Sequence, residues 1–163
     1  MPSSSINSVV GQYLSFTLGD EVYGIDVLKV KEIRGWEEVR PLPDTPDYVK
    51  GVLDLRGAIV PIIDMRLRFN LKVAEYIATT VTIILNVDTH EASRMIGIVV
   101  DGVSDVLDVQ EQEVKGAPSL GGKIDTRYLL GMVSKDQHVV LLLDADNLLD
   151  PDELMSLHVE DGE

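Results

Sequence analysis

Carboxylates are the densest chemically able side chains here, and they crowd between Asp144 and Glu153 with Asp146, Asp150 and Asp152 among them. Oxygen ligands so grouped would suit calcium, but a calcium loop needs glycine at its sharp turn, and Leu149 stands there. Capping of a helix explains these acids better. His90, His138 and His158 are far apart and lack the His-Glu-x-x-His spacing that aims two imidazoles at one zinc. The chain has no cysteine, no Gly-x-Ser-x-Gly elbow and no glycine-rich phosphate loop. Asp101, Asp105 and Asp108 are of the right type for acid/base work, yet Asp101-Gly102 between apolar strands reads as a hairpin turn. The expectation is therefore no catalytic residue, no metal and no cofactor. An acidic metal-dependent hydrolase is the enzymatic alternative.

Binding chemistry has more to start from. Leu55-Arg56-Gly57 sets an arginine beside a turn glycine, where its guanidinium is either a solvated charge or a bidentate partner for an incoming carboxylate. In Lys29–Gly35, Val30 and Ile33 alternate imperfectly with Lys31, Glu32 and Arg34. Either one face is core, or part of the stretch is an apolar recognition edge with a charged rim.

The elements that must hold these residues form a repeated pattern. GVLDLRGAIVPIID, from Gly51 to Asp64, is echoed at equal length by GMVSKDQHVVLLLD, from Gly131 to Asp144. Gly24-Ile25 leads through Val30, Glu32 and Ile33 as Gly97-Ile98 leads through Val103, Asp105 and Val106. Such an echo marks two similar β units in one chain. Tyr13–Leu18, the Gly19-Asp20 turn and Val22–Asp26 read as a hairpin; Thr80–Asn86 and Met95–Val100 read as its counterpart across a polar connector, Val87–Arg94. Pro61 confines Ala58–Asp64 to an edge or bulge, because proline cannot donate into a ladder. Asp47–Lys50 suits one helical turn, and Met65–Leu71 and Asp146–Leu157 have helical apolar spacing.

With 163 residues, 45% of them hydrophobic, the chain can bury one large core or two small joined ones. Its net charge of −14 repels phosphate backbones and anionic lipid, so neither nucleic acid nor membrane insertion is expected. The opening Met-Pro-Ser-Ser-Ser lacks a signal-peptide pattern, and no apolar run nears the roughly 20 residues that span a bilayer. A cytoplasmic protein is expected.

LSFTLGDEVYGIDVLKVKEIRGWEEVRPLPDTPDYVKGVLDLRGAIVPIIDMRLRF, from Leu14 to Phe69, strongly resembles the CheW family of bacterial chemotaxis coupling proteins. IGIVVDGVSDVLDV and TRYLLGMV with HVVLLLDADNLL extend the resemblance from about Gln12 to Leu157. It implies a mainly β fold of two SH3-like five-stranded barrel lobes with a few short helices. The corresponding division is a flexible leader over 1–9, a CheW-like domain over 10–157 and an acidic tail over 158–163. Its lobes are expected at about 10–72 and 78–157, with strand exchange between them left open. The resemblance also implies a non-catalytic adaptor joining the cytoplasmic tips of chemoreceptors to the CheW-like regulatory domain of the histidine kinase CheA, within membrane-associated arrays that control flagellar motility. A coupling protein of a non-motility pathway is the alternative. The receptor groove carried over by local match is Val30, Glu32, Ile33, Arg56, Val81 and Val106. The kinase contact is expected near Leu55, Gly57 and Ile59, and Gly51, Gly97 and Gly131 are read as structural.

Overall fold

The computed structural model describes residues 10–69, 71, 75–88, 93–116 and 128–148. Ten strands run β1 Gly11–Leu18, β2 Glu21–Asp26, β3 Val30–Gly35, β4 Val49–Leu55, β5 Ala58–Asp64, β6 Val81–Asp88, β7 Ser93–Val100, β8 Gly102–Val109, β9 Leu129–Lys135 and β10 His138–Leu143. Among the described residues one short α-helix, α1, spans Met65–Arg68. The strands form two five-stranded sheets, β8-β1-β2-β10-β9 (sheet I) and β3-β6-β7-β5-β4 (sheet II).

The two orders are the same order once β1–β5 is laid over β6–β10, so the duplication is real at the level of pairing. The registers agree too: Gly24 and Ile25 lie beside Leu142 and Leu143 in a parallel ladder, as Gly97 and Ile98 lie beside Ile62 and Ile63. Each sheet takes its central hairpin from one half of the chain and its other three strands from the other half. The lobes therefore do not divide at residues 72 to 78; the halves exchange strands. Interlocked in this way, neither half can complete a sheet alone.

Burial on both faces explains the unbroken apolar runs of β6, β7 and β10. Phe16, Tyr23, Ile25, Leu141 and Leu143 of sheet I meet Ile63, Ile83, Leu85, Ile96 and Ile98 of sheet II in one shared core. Alternate residues face outward into smaller clusters, Tyr13, Val133, Val140 and Leu142 on sheet I and Leu55, Val60, Ile62, Ile84 and Val99 on sheet II. Each such side chain contributes roughly 1.5–3 kcal/mol relative to exposure.

Closed barrels do not form. Among the described residues the edge strands of each sheet are joined through isolated bridges, Arg40 with Val52 and Lys115 with Met132, each made by the segment that follows an edge strand. Gly51 and Gly131 sit at these bridges. A Cβ on Gly51 would overlap the Arg40 carbonyl, and Gly51 has φ +142, a backbone region that favours glycine. A Cβ on Gly131 would come within 2.9 Å of the Lys115 carbonyl oxygen. At Gly97 it would press on Ile62 at 2.6 Å.

Three local expectations need correction. Pro61 lies in an interior strand, between β7 and β4, and is accommodated there one residue before the β5–β7 ladder begins at Ile62. Asp101-Gly102 is no hairpin, because β7 and β8 belong to different sheets and the chain crosses between them at this point. Asp47–Lys50 is a turn running into β4 rather than a helical turn. Of the expected helix over Asp146–Leu157 the structure describes a 3₁₀ turn, Ala145–Asn147, and Leu148; the rest lies outside the described residues, as do the leader, the acidic tail and residues 89–92 of the Val87–Arg94 connector, whose ends belong to β6 and β7.

Candidate functional site

β3 is an edge strand whose side chains alternate in exposure. Val30, Glu32 and Arg34 are half-buried, while Lys31 and Ile33 are exposed. Ile33 stays 44% exposed although it stands opposite the core residue Ile83. Glu32 and Arg34, opposite Ile84 and Thr82 on the other face, pair with each other, and among the described residues Arg34 Nε has no hydrogen-bond partner. Glu32 Oε2 accepts from Arg34 Nη1 at 2.8 Å, and Glu32 Oε1 accepts from Arg56 Nη2 at 2.8 Å. The hydrogen bond from Arg56, then that from Arg34, holds the Glu32 carboxyl below the usual carboxylate range.

Arg56 reaches Glu32 from the two-residue β4–β5 turn, where Arg56 and Gly57 both have positive φ, 52° and 91°. That is the type I′ geometry of a tight hairpin, and it throws the arginine outward. Its side chain is 74% exposed, so the guanidinium can keep Glu32 and still present donors to a partner. Val81 begins the neighbouring strand opposite Gly35 and, like Val30, packs partly against the shared core.

Five of the six expected groove residues thus belong to sheet II, and Glu32 and Arg56 touch. The sixth, Val106, stands on β8, the edge strand of sheet I, and is 51% exposed. Of the expected kinase contacts, Gly57 and Ile59 are exposed. Leu55 is not: it is buried in the outer cluster of sheet II, with Val60, Ile62, Ile84 and Val99, and offers no surface. Arg34 was absent from the sequence-based site. The step of two from Glu32 to Arg34, which puts both on one side of β3, was the available signal.

Nothing in this arrangement joins a nucleophile to a base, and among the described residues no group of His, Cys, Asp or Glu is placed to hold a metal. What the arrangement offers is exposed apolar side chains on two edge strands, Ile33 on β3 and Val106 on β8, with a charged pair beside the first. The chain matches the family model described as "CheW-like domain" over residues 12–153. It belongs to the CheW-like family. Chemotaxis protein CheW of Klebsiella aerogenes is 44% identical over 153 residues, covering 93% of this chain and 90% of that protein. CheW of Treponema pallidum is 35% identical over 159 residues, covering 94% and 90%, and protein FrzA of Myxococcus xanthus is 30% identical over 140 residues, covering 85% and 84%. The crystal structure of the scaffolding protein TtCheW from Thermoanaerobacter tengcongensis superposes with a TM-score of 0.77 at 25% identity, covering 88% of this chain and 90% of that one. This CheW-like protein accordingly works in chemotaxis signalling. Among its described residues no helix is long and apolar enough to cross a membrane.

Proposed function

We propose that this protein is a non-catalytic adaptor that couples the cytoplasmic tips of chemoreceptors to the histidine kinase CheA. The observation that carries this reading is the outward Ile33 beside the Glu32–Arg56 pair on an edge strand, in a chain of the CheW-like family. A receptor's helical hairpin offers an apolar stripe for Ile33 and Val106, and polar positions beside it for Arg56. Apolar contacts supply affinity, and the charged pair sets orientation at the rim. The kinase's CheW-like regulatory domain binds next to it, from the turn residue Gly57 along β5 to Ile59. The protein is cytoplasmic and joins membrane-associated arrays through these partners.

Reconstitution tests the reading. The purified chain, a soluble receptor hairpin and CheA should form a ternary assembly in which kinase activity responds to the receptor fragment only when this chain is present. Unchanged kinase activity with and without it would reject the adaptor role.

A further inference from the structure

The chain passes from one sheet to the other at two places, at Val27–Lys29 between β2 and β3 and at Asp101 between β7 and β8. Each crossing carries one charged residue bonded to both sheets. Lys29 Nζ reaches Asp88 at the end of β6 (3.0 Å) and Asp146 just past β10 (2.9 Å), and Asp146 also accepts the backbone N–H of Asp88 at 2.7 Å. Asp101 accepts the backbone N–H of Gly19, just past β1, at 2.7 Å, and the Nη1 of Arg66, just past β5, at 3.0 Å. Arg66 is itself fixed by the fully buried Asp64, which accepts from its Nε at 3.0 Å and its Nη2 at 2.9 Å.

The repeat places these two clamps at equivalent points of the fold with their polarity reversed. One has a cation on the crossing and an acid after the last strand; the other has an acid on the crossing and an arginine after β5. The two crossings lead directly into β3 and β8, the strands that carry Ile33 and Val106. Both are edge strands, each held along one side only, so their roots decide how far apart they stand.

We infer that Lys29 and Asp101 are positioning residues for the receptor surface: they fix the spacing of β3 and β8 across the two sheets without touching the receptor. Opposite polarity makes the clamps non-interchangeable, so each crossing accepts only its own partner. The inference rests on the adaptor reading for what the surface binds, but the spacing can be measured without any partner.

The chain has no cysteine, so Lys31→Cys with Ser104→Cys places one exposed spin label on β3 and one on β8. The parent should give one narrow distance distribution. Asp101→Ala and Lys29→Met should each broaden or shift it, weaken binding of a receptor hairpin by about tenfold, and leave affinity for the kinase regulatory domain unchanged. Lys29→Arg should restore both spacing and affinity. An unchanged distribution in both variants overturns the inference, whether or not affinity falls, and so does a broadened one with parental receptor affinity. If Asp101→Ala does not fold, Lys29→Met, whose clamp lies nearer the surface, decides alone. A parent that fails to bind the receptor hairpin overturns the adaptor reading, while the distance distributions still decide whether the clamps hold the sheets.

Discussion

Ile33 and Val106 occupy the same position in the two halves of the repeat, each opposite a core residue of the central hairpin, Ile83 and Leu14 respectively, and both leave their side chains largely in solvent. An apolar residue exposed once is ordinary; exposure at both equivalents, on the edge strands β3 and β8, is what the proposed receptor surface rests on.

Ile33→Ala and Val106→Ala should therefore melt like the parent and bind a receptor hairpin more weakly. Val30→Ala should lose stability as well, because Val30 packs against the shared core. Calorimetry of folding and titration of binding, run on the same samples, separate the three. A drop in melting temperature for Ile33→Ala equal to that of Val30→Ala would remove the distinction.

Arg56→Gln should leave the fold intact, since its side chain is mostly solvated. Receptor binding should weaken by roughly 30-fold or more, the equivalent of about 2 kcal/mol. Arg56→Glu should be worse, since it faces Glu32 with a second carboxylate. Parental affinity for both variants at moderate salt would mean that the arginine serves only its own turn.

The kinase contact separates Ile59 from Leu55. Ile59→Asp, on an exposed side chain, should impair binding of the kinase regulatory domain at unchanged stability. Leu55→Ala should cost about 2–5 kcal/mol of stability by opening a cavity in the outer cluster of sheet II. Denaturant midpoints and a kinase-domain pull-down read the two effects; kinase binding by Ile59→Asp at parental strength would move the contact elsewhere.

Acid should act through three carboxylates. Glu32, Asp88 and Glu113 all titrate below their ordinary values in the fold, Glu32 through Arg56 and Arg34, Asp88 through Ser93 and Lys29, Glu113 through Lys135 and the Gln110 backbone. A depressed folded pKa contributes stability that is present above the unfolded value and lost as pH falls through the folded one. Stability should hold at neutral pH and decline below the ordinary Glu value of 4.5. At the alkaline end, burial pushes the Tyr13 phenol up to about 12 and raises Tyr23 and Tyr76 as well. Their contribution is complete below the ordinary tyrosine value of 10.0 and is lost as pH rises through the folded values. Carboxyl NMR of Glu32 should find its midpoint low in the parent and nearer 4.5 in Arg56→Gln.

Gly51→Ala and Gly131→Val should each destabilise by about 2–3 kcal/mol, because a Cβ at either site strikes the carbonyl of the bridging segment. Gly35→Ala, where a Cβ meets open space, should cost much less. Equilibrium unfolding of the three variants checks the order; equal midpoints would mean that the bridging segments shift aside freely.

Strand identity, the duplication and the family were legible from residues alone, because each rests on local periodicity or on repeated spacing: the echo of Gly51–Asp64 in Gly131–Asp144 needs no partner to be seen. The strands were found to within a few residues for the same reason. What pairs with what is a different kind of fact. Nothing near Asp101-Gly102 distinguishes a hairpin from a crossing, since the choice depends on β8 finding β1 from far along the chain. Pro61 argued for an edge or a bulge by local chemistry, whereas β5 is an interior strand whose ladder to β7 begins one residue later, at Ile62. Leu55 and Ile59 look alike in sequence, yet one faces the outer cluster and the other faces water. The clamps at Lys29 and Asp101 were invisible for the same reason: their partners lie dozens of residues away and meet them only when the halves have exchanged strands. Local alternation says which side chains share a face; only the closed packing of both sheets says which face is inside.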